Sequence, residues 1–184
     1  SRAKLIEAGD ESRMLKSRTA VFVDLVERSF DDGDRGEWPA ILEAEYDNIR
    51  AVLTRTIDEN DDLVSGLRLC GSLSRFWFNH GHISEAQAWT RKALAKDDGS
   101  NPAARAKVLM AAGFFFGQTP GPDQDTGLRR SYFEESIRLW EEVGDRRNLG
   151  ITLVGYAFFL NRVGKYAMAI EVAERSVEVL RETD

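Results

Sequence analysis

The sequence is poor in the residues that cross-link proteins or bind metals. Its 184 residues include one cysteine, Cys70, and two histidines, His80 and His82. One thiol cannot form an internal disulfide, so we expect a reducing, cytoplasmic environment. Cys70 lies on an apolar helical face, where a lone cysteine usually acts as a small hydrophobic residue. The two histidines flank Gly81 without cysteine or carboxylate at ligand spacing, so we predict no metal site and interpret them as turn residues.

Long apolar runs and an excess of positive charge are also missing. No segment approaches the roughly 20 apolar residues of a membrane span. Asp and Glu outnumber Lys and Arg by 31 to 25, which gives a formal net charge of −6. This balance disfavours direct contact with nucleic acid or an anionic membrane, because phosphates require clustered cations.

Motifs of catalysis and nucleotide binding are absent as well. The pattern G-x-x-x-x-G-K-[ST], whose backbone N–H groups hold a triphosphate, does not occur. No combination of nucleophile, base and oxyanion donor is recognisable. We therefore expect no cofactor and no catalytic residue, and an enzyme with an unrecognised site is the weakest of the functions considered.

The pattern of apolar residues is helical throughout, and β-branched runs typical of strands are lacking. We predict an all-α fold of about nine helices. The predicted segments are Ser1 to Ala8 (ended by Gly9), Glu11 to Phe30, Trp38 to Glu59, Asp62 to Asn79, Ser84 to Lys96, Pro102 to Gly117, Gly127 to Val143, Arg146 to Val163 and Tyr166 to Glu182. The apolar stripe of the second segment is expected to comprise Leu15, Val21, Phe22, Leu25 and Val26.

An internal repeat organises the second part of the chain. The segment from Gly81 to Leu94 and the segment from Gly164 to Val177 share a glycine, a large apolar residue two positions on, and alanine five positions on. Both also have a small residue twelve positions on, and Ser136 occupies that place in a third copy. The spacing of 43 and then 40 residues between the small positions is that of helix-pair repeats.

This pattern resembles the tetratricopeptide repeat, in which two antiparallel helices, A and B, form each unit. The resemblance implies a right-handed superhelix, with residues 1–60 as a helical lead-in and residues 61–184 as three repeats of one domain. Ser74, Gly113 and Ala157 stand at the small positions of helix A, where we expect close packing against Ala86 and Ala169 of helix B.

The middle copy departs from the pattern at two places. Arg129 replaces the helix B alanine, and the turn is enlarged over residues 118–127.

A second resemblance concerns the start of the repeats. The segment from Leu42 to Leu53 reads L-E-A-E-Y-D-N-I-R-A-V-L and resembles the opening of the helical-repeat region in large multidomain ATPases of signal transduction. These STAND ATPases include transcriptional regulators of the SARP and LuxR types. The segments Leu67 to Trp77, His80 to His82 and Leu139 to Arg147 are similar to that family's repeats.

The resemblance implies a non-catalytic module for protein interaction or effector sensing within a transcriptional regulator. The P-loop ATPase and the DNA-binding domain of such a regulator would lie outside these residues. The alternative is a generic repeat scaffold for protein complexes unrelated to transcription.

The candidate binding surface is the groove-facing side of helix A. Residues beside the core stripe are expected to face this groove and to bind a protein or peptide helix, or a small apolar effector. The alternative is that these rings pack against the following helices or against the loop from Thr119 to Thr126. The candidate residues are Arg75, Phe78, Asn79, Met110, Phe114, Phe158, Asn161 and Arg162.

Two further patterns have simpler explanations. Residues 123–134 resemble a calcium loop, but Leu128 stands where that loop requires glycine, so helix capping by Asp125 or Thr126 is favoured. Glu45 and Asn48 lie one helical turn apart, and we expect a structural hydrogen-bond network with a partner such as Arg18 or Arg75.

Overall fold

The computed structural model describes residues 2–33, 35–116 and 126–183, with side chains from residue 13 onward. All regular secondary structure in these residues is helical. The elements are α1 (Arg2–Asp31), α2 (Trp38–Leu53), a π-helical turn (Thr54–Asp58), α3 (Leu63–Ser72), α4 (Ser74–Asn79), α5 (Ile83–Lys96), α6 (Pro102–Phe115), α7 (Thr126–Val143), α8 (Arg146–Arg162) and α9 (Tyr166–Arg181).

The helices pack in adjacent pairs, as the repeat predicts. The first pair consists of α3 and α4 with α5, the second of α6 with α7, and the third of α8 with α9. The first helices of the pairs also stack on one another, since α3 contacts α6 and α6 contacts α8. The all-α fold with nine helices in the described residues is thus confirmed, and the right-handed superhelix stays a prediction.

The lead-in differs from the sequence expectation. Gly9 does not end a helix, because α1 runs without interruption from Arg2 to Asp31. A glycine inside a helix costs only about 1 kcal/mol, which the rest of a long helix can offset. Leu15 and Val21, expected on the buried stripe, are 37% and 60% exposed, whereas Val23 is buried instead.

The predicted helix from Trp38 to Glu59 ends in a different type of turn. Its last residues, Thr54–Asp58, form a π-helical turn. Lys96 Nζ donates to the backbone oxygen of Ile57 at 2.5 Å and to that of Asp58 at 2.7 Å. This lysine of α5 therefore satisfies carbonyls that a helix end would otherwise leave unpaired.

The turns after α4 and α8 explain the repeat glycines. Gly81 and Gly164 have φ angles of +76° and +77°. Side chains with a Cβ atom rarely adopt this conformation, so both positions favour glycine. The first helical turns that follow the inter-pair loops are closed by side chains, because Asn101 Oδ1 accepts from Ala104 N and Asp145 Oδ1 accepts from Asn148 N.

In the described residues the hydrophobic core consists of two clusters, as expected of a repeat array without one centre. One is centred on Trp77 and α3, the other on Trp140 and α8, and Leu94 packs against both. Cys70 is fully buried in the first cluster, and burial raises the pKa of its thiol to about 12.

The small positions permit close helix packing, but their neighbours differ between copies. Ala86 and Ala169 are buried, as predicted. Gly113 does not face an alanine: a Cβ atom at this position would lie 2.8 Å from the ring of Phe133. In the middle pair an aromatic ring on α7 therefore occupies the space that the small residue leaves. Within the described ranges, no helix is both long and apolar enough to cross a membrane.

Candidate functional site

A groove with aromatic side chains along it crosses the first helices of the three pairs. It has a volume of about 430 Å³ and is lined from α4, α6 and α8, with Phe30 of α1 and Leu180 of α9 at its margins. We call it the aromatic groove, after Phe78, Phe114 and Phe158, which follow one another across the three helices.

The three rings form a continuous row. The centroids of Phe78 and Phe114 are 5.8 Å apart with the rings nearly perpendicular, and those of Phe114 and Phe158 are 6.5 Å apart with the rings nearly parallel. Phe78 is 47% exposed and Phe158 is 52% exposed, whereas Phe114 is partly buried against α8. A Cβ atom at position 155 would lie 3.0 Å from the Phe114 ring, so Gly155 lets this ring lie directly on α8.

Five of the eight candidate residues line this groove. Besides the three rings they are Arg75, at the α4 side, and Met110, which is buried in the floor. Asn79 and Asn161 are exposed but do not line the groove. Arg162 is exposed and lies beside a neighbouring recess.

That recess adjoins the α7 side of the groove and contains a second arginine. Phe114, Gly155 and Phe158 line both spaces, and the recess is completed by residues that include Arg129 and Arg162. Arg129 is only 9% exposed, and its Nε and Nη2 atoms donate to the backbone oxygen of Gly113 at 3.2 and 3.1 Å. Its guanidinium lies over the ring of Phe159, with 4.6 Å between Cζ and the ring centroid. Burial, and then the charge of Arg162, lower the pKa of Arg129.

The end of α1 lies across the same helices and borders the groove. We call Glu27, Phe30 and Asp31 the α1 strap. Glu27 receives two hydrogen bonds from Arg68 of α3, at 3.0 and 2.6 Å, and Arg147 of α8 donates to Asp31 Oδ1 at 2.9 Å.

Phe30 occupies the middle of the α1 strap. Its ring lies between two cations, with Arg75 Cζ 5.5 Å and Lys107 Nζ 5.0 Å from the ring centroid. The strap thus joins four cationic side chains from four helices by acidic and aromatic contacts.

Lys107 is the most buried of these cations. Its ammonium donates to Ser72 Oγ at 3.1 Å and lies 3.8 Å from Glu27 Oε1. Burial lowers the pKa of this ammonium, and the charge of Glu27 opposes that effect. Glu27, Arg68 and Lys107 also line a separate hollow of about 320 Å³.

Neither the strap nor the role of Arg129 could be predicted from the sequence. Glu27, Phe30 and Asp31 share the i, i+3, i+4 spacing of one helical face, which is the only local signal. Their partner Arg147 lies 116 residues away from Asp31 in the chain. Arg129 was visible as a departure from the repeat, but its contact with Gly113 depends on the packing of α7 on α6.

The polar residues singled out in the sequence analysis contact other side chains within the fold. Arg18 donates to Asn48 Oδ1, and Asn48 Nδ2 donates to Glu45 Oε2 at 2.7 Å, which confirms the network predicted with Arg18. His80 and His82 both stack on Phe76, with ring centroids 4.4 and 5.8 Å apart.

The calcium-like pattern can be followed only in part. Residues 123–125 lie outside the described residues. Glu134, the last position of the pattern, pairs with Arg130 and accepts from Tyr156 Oη. No cluster of three or more potential metal ligands occurs among the residues that the structure describes.

Neither the known protein-family models nor the curated proteins contain a match to this chain.

Proposed function

We propose that this chain is a non-catalytic interaction module that binds a peptide helix in the aromatic groove. The observation that carries the proposal is the row of three phenylalanines, of which Phe78 and Phe158 are about half exposed. Apolar side chains grouped on a surface in this way favour an apolar partner, because covering them removes their surface from water.

The ring spacing suits a helix as the occupant. Residues four apart on an α-helix are separated by about 6 Å along its axis. The ring centroids are 5.8 and 6.5 Å apart. A helix lying along the row would therefore present apolar side chains at i, i+4 and i+8 at the same interval.

The resemblance to the repeats of STAND ATPases supports a biological setting for this module. In that setting the chain belongs to a cytoplasmic transcriptional regulator of the SARP or LuxR type, whose P-loop ATPase lies outside these residues. The partner would be a helix of another protein or of another domain of the same polypeptide.

Binding of a model helix tests the groove. The probe is a fluorescein-labelled amphipathic peptide of about 16 residues with leucine at i, i+4 and i+8. We expect the Phe78→Ser/Phe158→Ser variant to bind it at least about tenfold more weakly, a loss of about 1.4 kcal/mol, in fluorescence anisotropy.

The matched control is Val21→Ser, which removes a comparably exposed apolar side chain of α1 that does not line the groove. Unchanged affinity of the double variant, with its helical circular dichroism intact, would exclude the groove as the site. Binding of a small apolar probe such as dodecanol in place of the peptide would instead assign the groove to an effector.

A further inference from the structure

Arg129 is a buried cation with an unusual set of neighbours. Its side chain replaces the alanine expected at this helix B position and reaches the backbone oxygen of Gly113 on α6. Both hydrogen bonds end on this one oxygen. A single carbonyl accepts hydrogen bonds but does not neutralise a full positive charge.

No carboxylate pairs with Arg129 among the residues that the structure describes. Among the described residues, the charged group that shifts its pKa is another cation, Arg162. Taking a charge out of water without a counter-charge is costly, and buried charges in proteins are usually paired. An anion delivered to this place would offset that cost.

The position of Arg129 connects it with the aromatic groove. It lies in the recess that shares Phe114, Gly155 and Phe158 with the groove, and Arg162 lies in the same recess. A ligand lying on Phe114 and Phe158 would thus have one end beside two guanidinium groups. Guanidinium groups bind carboxylates through paired hydrogen bonds in a fixed geometry.

The chain itself contains a helix bound to this face by the same chemistry. The α1 strap places Glu27 against Arg68 and Lys107, Phe30 between Arg75 and Lys107, and Asp31 against Arg147. Acidic and aromatic residues on one side of a helix are therefore matched to cations on the first helices of the pairs.

On the basis of the proposed function, we infer that the helix bound in the aromatic groove carries an acidic side chain, and that Arg129 and Arg162 receive this carboxylate. The partner is thus an acidic amphipathic helix, with apolar side chains over Phe78, Phe114 and Phe158 and a glutamate or aspartate at the α7 side.

Two peptides that differ in one side chain test the pairing. Both carry the leucine pattern described above, and one has glutamate where the other has glutamine, one turn beyond the last leucine. We expect the glutamate peptide to bind the wild-type chain about tenfold or more tightly, since charge-assisted hydrogen bonds are stronger than neutral ones. In the Arg129→Met variant we expect most of this difference to disappear, while the glutamine peptide keeps its affinity.

The matched control is Arg130→Met, which removes the neighbouring, exposed arginine of the same helix. This variant should retain the preference for glutamate. If Arg129→Met fails to fold by circular dichroism, Arg129→Lys replaces it. Lysine keeps the charge without the planar fork, and a reduced preference for glutamate is expected.

The outcomes separate this inference from the proposed function. If both peptides bind the wild-type chain equally well, or if Arg129→Met retains the preference, the pairing is wrong and the groove remains a helix site. If neither peptide binds, the proposed function fails and the inference fails with it. If dodecanoate binds and the peptides do not, the anionic ligand is a small amphiphile and the helix is excluded.

Discussion

The most informative single residues are the charged side chains that lie inside the fold. Lys107 and Arg129 are both about nine-tenths buried. They differ in their surroundings. Lys107 lies near Glu27 and Asp31 of the α1 strap, whereas in the part of the chain that the structure describes the charge acting on Arg129 is that of Arg162. One cation therefore already has an acidic helix beside it, and the other faces the space in which we place the ligand.

The buried ammonium of Lys107 makes stability depend on pH in the alkaline range. Burial lowers its pKa from 10.5, so the unfolded chain binds the proton more tightly than the folded chain. The resulting cost is fully present below the folded pKa and is relieved as the pH rises towards 10.5. We therefore expect the free energy of unfolding of the wild type to rise, relative to that of Lys107→Met, as the pH is raised towards 10.5.

Urea unfolding of the two proteins at several pH values measures this difference. Lys92→Met, which removes a half-exposed ammonium from α5, controls for the loss of one positive charge. If the difference in free energy of unfolding between the wild type and Lys107→Met stayed constant across the pH range, burial would not lower the pKa of Lys107.

Among the elements, the helix pairs could be predicted from the sequence, whereas the packing of the lead-in, residues 1–60, could not. The repeat glycines and small residues predict the pairs because the turn conformation at Gly81 and Gly164 and the burial of Ala86 and Ala169 are local requirements. In α1, the exposed residues Leu15 and Val21 break the expected stripe. A long helix that contacts several others has more than one buried face, and hydrophobic periodicity does not identify these faces.

The candidate site, too, could be predicted from the sequence only in part. The aromatic row could be found from the sequence because each ring lies on the first helix of a pair, and the repeat places those helices side by side. The α1 strap could not, since its pairs depend on how far α1 extends across α6 and α8. Asn79 and Asn161 were expected to face the groove, but the last turns of α4 and α8 direct them elsewhere.

The close crossing within each pair gives a test of the repeat register. We expect Ala86→Leu and Ala169→Leu each to destabilise the fold by about 1–3 kcal/mol, because the extra methyl groups must fit into a packed interface. Ala95→Leu adds the same atoms at an exposed position of α5 and should have little effect. Thermal or urea unfolding measures all three, and equal losses at positions 95 and 86 would show that the helix faces are assigned incorrectly.

At the scale of the whole molecule, the third pair differs from the other two in what covers it. Ile137 of α7 and Val177 of α9 occupy equivalent places, one residue after Ser136 and Ser176. Ile137 is 8% exposed, in an array where α8 packs on α7, whereas Val177 is 47% exposed. The outer face of α9 also exposes Tyr166 and Ile170.

This asymmetry predicts different mutational effects at the two equivalent positions. Ile137→Ala should destabilise the fold by about 2 kcal/mol or more, because it removes buried methyl groups from the second core cluster. Val177→Ala should change stability by less than about 0.5 kcal/mol. Urea unfolding compares them, and similar losses would mean that the outer face of α9 is covered in solution.

The ion pair between Asp31 and Arg147 has a mechanical consequence. An array in which each unit touches only its neighbours can open one unit at a time. Here α1 contacts α3, α4, α6 and α8 together, so it links the first helix pair directly to the third. Pulling the array apart would therefore have to break these contacts of α1 before the units could separate one by one.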